Sequence, residues 1–86
     1  MSLDLLIKKC KNRDIKSQSE IYHLFAGKLF ALCLKYSKTR EEAEDNLQEA
    51  FLTIFKKIDQ FKSKGSFEGW MKRIVINTAL QTYRQK

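Results

Sequence analysis

The chain has 86 residues, a formal net charge of +7, 43% hydrophobic residues and 31% charged residues, a balance that fits a globular domain and excludes a disordered tail. A domain of this size buries only about 60% of the surface its unfolded chain exposes, so a single modest core is expected, one that a partner can complete. Nothing approaches the roughly 18 apolar residues of a membrane span, and the start Met1-Ser2-Leu3-Asp4 lacks the basic and apolar stretches of a signal peptide.

With no proline and only three glycines, the sequence reads as helices separated by short breaks. Residues 3–11 form a first short helix with Leu3, Leu6, Ile7 and Cys10 on one side. Asn12-Arg13-Asp14 breaks it. Ser17-Gln18-Ser19-Glu20 matches a capping box and predicts a second helix from there to about Ser37, with Ile21, Phe25, Leu29, Leu32 and Tyr36 on its apolar stripe. Cys10 and Cys33 fall among apolar neighbours at helical spacing. They fit small core residues in a reducing cytosol and not a disulfide or a redox pair. His23 has no metal-ligand spacing around it and fits the surface or its boundary.

Thr39-Arg40-Glu41-Glu42 is a second capping box and opens a third helix over roughly 40–58. Its stripe is Ala43, Leu47, Ala50, Phe51, Ile54 and Ile58. Asp45, Gln48 and Glu49 share another face, and Leu52 lands in the middle of it, away from the core stripe. A lone exposed leucine is ordinary on a monomer. A leucine ringed by Asp, Gln and Glu is also the shape of a small docking patch, with an apolar centre and a polar rim.

Residues 59–66 read as a loop made basic by Lys62-Ser63-Lys64-Gly65-Ser66. A fourth helix then runs from about Phe67 to Gln85, about 28 Å at 1.5 Å per residue. It is apolar nearly all round, a pattern expected of a largely buried helix. Phe67, Met71, Ile74 and Thr78 form one side; Ile76, Leu80 and Tyr83 lie nearly opposite, and Val75 and Ala79 fill a flank. The polar remainder is a narrow strip, Arg73, Asn77 and Arg84, bordered by Trp70. Lys72 leaves the strip and can pair with Glu68 one turn earlier.

Charge is segmented along the chain: residues 1–38 carry +5, residues 39–58 carry −2 and residues 59–86 carry +4. A basic loop beside an arginine-asparagine strip and an aromatic edge suits single-stranded nucleic acid: cations neutralise phosphates, asparagine reaches base edges and aromatic rings stack on bases. The same arginines could equally serve only to solvate the helix, and Phe67 and Trp70 fit a core as well as a stacking platform. No nucleophile–base pair, phosphate-cradling glycine loop or metal-ligand cluster is present, so catalysis and a bound cofactor are not expected.

Two blocks carry a resemblance. Asp45-Asn46-Leu47-Gln48-Glu49-Ala50-Phe51 resembles the D-x-x-Q-E-x-F run of region two of bacterial sigma factors. Ser66-Phe67-Glu68-Gly69-Trp70-Met71-Lys72-Arg73-Ile74-Val75-Ile76-Asn77 resembles that family's S-F-x-x-W-L-x-R-I-x-x-N. Their order and spacing match the extracytoplasmic-function subgroup, and the helix from Phe25 to Tyr36 fits its first conserved segment.

The resemblance implies an all-α, compact bundle of about four helices, with residues 1–86 as one region-two domain working in the cytoplasm. It implies that Asp45, Gln48 and Glu49 dock on the clamp coiled coil of the largest subunit of core RNA polymerase; the helical wheel adds Leu52 to this face. It implies that Lys62, Ser63, Lys64, Gly65 and Ser66, then Arg73 and Asn77, contact the non-template strand of the promoter minus-ten element, with one base held in the loop. Arg84 joins this set from the strip.

Anti-sigma factors commonly cover the same surfaces in the family. Many relatives carry Asp where this chain has Gln81. Complete factors add a helix-turn-helix domain for the minus-thirty-five element, which this sequence does not contain. The competing expectation is a generic helical module whose basic face meets an acidic protein or anionic lipid, with no membrane insertion.

Overall fold

The computed structural model describes residues 2–62 and 64–84. Ser63, and the expected last helical residue Gln85, lie outside the described residues. The Ser2 side chain accepts from the Leu5 N–H and starts α1 (Leu3–Lys11). This helix buries Leu6, Ile7 and Cys10 and leaves Leu3 partly exposed. It ends in a tight reversal. Asn12 and Asp14 N–H both donate to the Lys9 carbonyl and Arg13 N–H to that of Cys10. Arg13 closes the turn at φ 63°, a left-handed conformation that only a minority of non-glycine residues adopt.

The second helix begins earlier than the capping box predicts. In α2 (Ile15–Tyr36) the N-cap is Asp14, whose carboxylate accepts from the Ser17 N–H at 3.2 Å and from the Ser17 hydroxyl at 2.5 Å. Ser17 is therefore a buried first-turn residue and not the cap. A carboxylate three residues upstream is an equally good cap acceptor, and it carries negative charge at the helix's positive end. These hydrogen bonds hold the Asp14 carboxyl below its ordinary range. The buried residues of α2 are Ser17, Ile21, Leu29 and Cys33; Tyr36, expected on the core stripe, is 39% exposed.

The third helix, α3 (Arg40–Lys56), starts as predicted: Thr39 Oγ1 accepts from the Glu42 N–H at 3.0 Å, and Glu42 reaches back to the Lys38 N–H at 2.6 Å. Its six expected core residues are all buried, Ile58 within the short 3-10 turn Ile58–Gln60 that follows. Ala43 and Ala50 are fully buried, and their short side chains let neighbouring helices approach this face closely. The last helix is α4 (Phe67–Arg84).

Helices α2, α3 and α4 pack against one another, while α1 packs on α2 and on the 3-10 turn. Ile21, Leu29, Ile54, Ile58, Met71 and Val75 are fully buried between them. Each such side chain contributes about 1.5–3 kcal/mol by leaving water. Both cysteines are free and buried in this core. Burial pushes the Cys10 thiol up to about 11 and raises that of Cys33, which keeps both protonated and unreactive.

One polar group crosses the core. Asn46 is only 3% exposed. Its amide nitrogen donates to Ser37 Oγ at 2.9 Å and its carbonyl oxygen accepts from Thr82 Oγ1 at 2.9 Å. One side chain thus ties the end of α2, the body of α3 and the last turn of α4, and buried polar groups are tolerated when satisfied in this way.

Helix α4 is less enclosed than its composition predicts. Phe67, Met71, Val75, Thr78 and Ala79 are buried. On the other side Ile76 and Leu80 are half-buried and Tyr83 is exposed. Only α2 and α3 make extensive contact with α4, and two neighbours cover one side of a helix.

Candidate nucleic-acid interface

The segment from Phe61 to Phe67 turns the chain from the 3-10 turn into α4. Phe61 is buried against Phe67 and Trp70, with ring centroids 5.1 and 5.5 Å away; Phe67 and Trp70 stack at 5.7 Å. Gly65 has φ 79°, a left-handed turn that glycine adopts without Cβ strain. Ser66 Oγ accepts from the Gly69 N–H at 3.0 Å and caps the first turn of α4.

These elements frame a cleft of about 560 Å³, lined by Gln60, Phe61, Lys62, Lys64, Gly65, Ser66, Gly69, Trp70 and Arg73. Its volume lies within the roughly 300–1,000 Å³ of ligand clefts. Lys62, Lys64 and Arg73 are exposed at the cleft while Phe61 is buried and Trp70 half-buried in its wall. Five of the residues singled out from sequence, Lys62, Lys64, Gly65, Ser66 and Arg73, thus converge on one cavity. Ser63 lies outside the described residues.

The other two members of the strip are elsewhere. Asn77 is exposed one turn beyond Arg73 and lines a separate groove of about 270 Å³ with Thr53, Lys56, Lys57, Ile74, Thr78 and Gln81. Arg84 shares the same face of α4 but sits about 16 Å from Arg73 along the axis at 1.5 Å per residue. It lines neither the cleft nor the Asn77 groove. Lys72 is turned away as expected. It bonds Glu68 at 3.1 Å, and Lys28 of α2 reaches the same carboxylate at 3.3 Å. Together they hold the Glu68 carboxyl below its ordinary value, the Lys72 hydrogen bond acting most strongly.

The polar face of α3 is also at the surface. Asp45, Gln48, Glu49 and Leu52 are all exposed, Leu52 by 69%, while Phe51 is buried. The face divides in two. Asp45 and Glu49 turn toward α4 and, with Glu41 and Glu42, line an acidic groove of about 520 Å³ that also includes Thr78, Gln81 and Thr82. Gln48 and Leu52 are not part of that groove. Gln81 borders both the acidic groove and the basic Asn77 groove.

Several residues carry no clear signal in the sequence. Phe61 reads as loop punctuation, yet it is buried as part of the wall of the cleft; its one mark is an aromatic residue set between two polar runs. Lys56 and Lys57 sit at the end of a helix whose net charge is acidic, which hides them. Asn46 is legible in principle, as a polar residue on the flank of an apolar stripe. Among the described residues no group of three or more His, Cys, Asp or Glu side chains could hold a metal ion. No helix among them is long and apolar enough to cross a membrane.

Known proteins resemble this chain in sequence and in fold. A family model described as sigma-70 region 2 matches residues 21–86. The chain is 31% identical to the ECF RNA polymerase sigma factor SigW of Bacillus subtilis over 86 residues, which is 100% of this chain and 46% of that protein. It is 31% identical over 70 residues to the ECF RNA polymerase sigma factor SigE of Mycolicibacterium smegmatis, covering 81% of this chain and 27% of that protein. The chain therefore spans less than half the length of these relatives. Its fold is similar to an engineered region 2 of sigmaE solved by NMR in complex with GTAAAA, with a TM-score of 0.87, 25% identity, and coverage of 99% of this chain and 93% of that one.

Proposed function

The chain belongs to the sigma-70 region 2 family, and we propose that it is a non-enzymatic transcription-initiation module that binds core RNA polymerase and captures single-stranded non-template DNA of the promoter minus-ten element. The observation that carries this reading is the cleft of about 560 Å³ with an aromatic wall and Lys62, Lys64 and Arg73 at its edge. The similar sigmaE region 2 was solved with the oligonucleotide GTAAAA, which supports DNA as the ligand of this chain's cleft.

The chemistry follows from the wall and the rim. A base that leaves the duplex loses stacking, at a cost of a few kcal/mol. Trp70, half-buried in the cleft wall, offers aromatic surface in exchange, and stacking of a base on an aromatic ring is worth about 1–3 kcal/mol. Lys62, Lys64 and Arg73 neutralise the flanking phosphates. Asn77, one turn further along α4, can donate to or accept from a base edge, with Lys56 and Lys57 beside it for the backbone. No nucleotide hydrolysis is needed, because capture of the open strand itself offsets melting.

The second job falls to α3. Exposed Leu52 with Gln48, Asp45 and Glu49 around it suits docking on the clamp coiled coil of the largest polymerase subunit. An anti-sigma protein that covered both faces would silence both jobs at once. Docking on the polymerase and capture of promoter DNA would put the module in the cytoplasm. Arg84, distant from the cleft, fits a contact with DNA phosphates outside the captured bases.

The test is binding of the chain to a single-stranded non-template minus-ten oligonucleotide and to its complement. The non-template strand should bind more tightly, with a log–log salt slope of magnitude no more than about 4 from the six Lys/Arg of residues 59–86. Equal affinity for both strands would remove base capture and leave a generic basic surface.

A further inference from the structure

Helix α1 and the reversal after it lie outside the residues the family model matches, and DNA capture as described above assigns them nothing. Two side chains from this segment nevertheless reach the end of α3 and the 3-10 turn that leads into the cleft. Lys11 Nζ donates to the Phe61 carbonyl oxygen at 2.7 Å, a partly buried contact between residues 50 apart in sequence. Arg13 Nη1 donates to the Phe55 carbonyl oxygen at 2.8 Å, and Arg13 Nη2 bonds Asp59 Oδ2 at 3.1 Å.

The targets share one property. Phe55 lies in the last turn of α3, where carbonyl groups lack helical partners. Asp59 is in the 3-10 turn, and Phe61 ends it. Charged donors at a helix C-terminus also meet the negative end of its dipole. Backbone bonds at the turn itself include Gln60 N–H to Lys57 O at 2.8 Å and Phe61 N–H to Ile58 O at 3.1 Å. Phe61, almost fully buried, forms part of the wall of the cleft. Whatever fixes its backbone fixes that wall.

Arg13 adopts its left-handed φ of 63° in the sharp turn that carries its guanidinium to the end of α3. An unfavourable backbone conformation held by surrounding bonds is a feature that accompanies function.

We propose that Lys11 and Arg13 are positioning residues that hold the 3-10 turn and Phe61, so that α1 sets the shape of the DNA-capturing cleft. The functional part of this proposal rests on the cleft binding DNA; the brace itself does not.

The experiment uses the full chain with Lys11→Met, Lys11→Arg, Arg13→Gln and, as a charge-matched control on the same helix, Lys8→Met; Lys8 is exposed. Amide hydrogen exchange is read at Gln60 and Phe61 and, for reference, in the middles of α2 and α4. Affinity for the non-template oligonucleotide is read in parallel. Lys11→Met should speed exchange at Gln60 and Phe61 about tenfold with the reference amides unchanged, because a local opening costs less than global unfolding.

The same variant should weaken oligonucleotide binding several-fold, Lys8→Met much less, and Lys11→Arg should restore both readouts. Arg13→Gln, whose side chain is 55% exposed, should act in the same direction without endangering the fold. Unchanged exchange at Gln60 and Phe61 in both Lys11→Met and Arg13→Gln overturns the brace. So does a rise that is equal in the reference amides, which would make the role merely structural. If the exchange effect appears while the parent shows no strand preference, the brace stands and the DNA reading falls.

Discussion

Leu52→Ala separates docking from folding. The side chain is 69% exposed, so the fold gains little from it, and alanine is at least as good a helix former. If a partner buries that face, the exposed part of the leucine leaves water. Full burial of such a side chain is worth about 1.5–3 kcal/mol, so 69% exposure leaves about 1–2 kcal/mol for the partner to gain. Alanine would forfeit most of this, a loss of about 5- to 30-fold in affinity.

Gln48→Ala in the same chain should add about 0.5–1.5 kcal/mol if its amide bonds the partner. The assay is surface binding to immobilised core RNA polymerase, with thermal unfolding by circular dichroism on the same samples. Melting should move by no more than about 4 °C for each substitution, since exposed substitutions stay within about 0.5 kcal/mol. Polymerase binding that survives the double substitution unchanged refutes the docking face. A large fall in melting temperature refutes the placement of Leu52 outside the core.

Two further outcomes follow from the core and the caps. Asn46→Ala removes the 2.9 Å bonds to Ser37 and Thr82; at about 1 kcal/mol each it should cost about 2 kcal/mol and lower the melting temperature by about 8–16 °C. Thr82→Val should cost less, since it removes one of the two bonds by which Asn46 links the helices; a parent-like melt of Asn46→Ala would show that the network does not join them. Asp14 and Glu68 both have carboxyls held below their ordinary values of 3.8 and 4.5, so each favours the folded state when ionised. That contribution is fully present above about pH 4.5 and is lost as pH falls through the lowered folded values. Asp14→Asn with Glu68→Gln should therefore melt with a shallower acid dependence below pH 4.5 than the parent, as read by circular dichroism, and identical acid profiles would contradict the assignment.

Basic and acidic surface meet along α4. The Arg73 cleft and the Asn77 groove with Lys56 and Lys57 are electropositive, and the next groove along carries Glu41, Glu42, Asp45 and Glu49. A DNA strand following α4 from its first turn meets like-charged carboxylates at Gln81. Gln81 thus lies at the boundary between a basic groove and an acidic one. A carboxylate at this position would move the boundary toward Asn77.

Local pattern alone places the five core residues of α3 and Ile58 just beyond it, the start of α3 at the Thr39 cap, the burial of both cysteines and the exposure of Leu52. Each depends on spacing within one helix, and helical geometry converts spacing into direction without knowledge of a partner. The capping-box pattern misplaces the start of α2 because Asp14 and Ser17 are both competent caps, and their competition is settled by the reversal at Arg13. Composition overstates the enclosure of α4 because it reports what a helix could bury, while the neighbours of that helix decide what it does bury.

Sequence by itself determined the helices, their apolar faces, the segregation of charge and the two motif blocks that tie the chain to sigma-70 region 2, since all of these are local or linear properties. Tertiary structure decided which of the basic residues share a site. Lys62, Lys64, Gly65, Ser66 and Arg73 meet at one cleft, Asn77 enters another, and Arg84 stands apart. It also placed Phe61 in the wall, with Lys11 on its carbonyl from 50 residues away and Arg13 on the preceding helix end and turn from 42 and 46. Such contacts depend on how helices cross and how a turn is aimed, and no periodicity in a single segment encodes that.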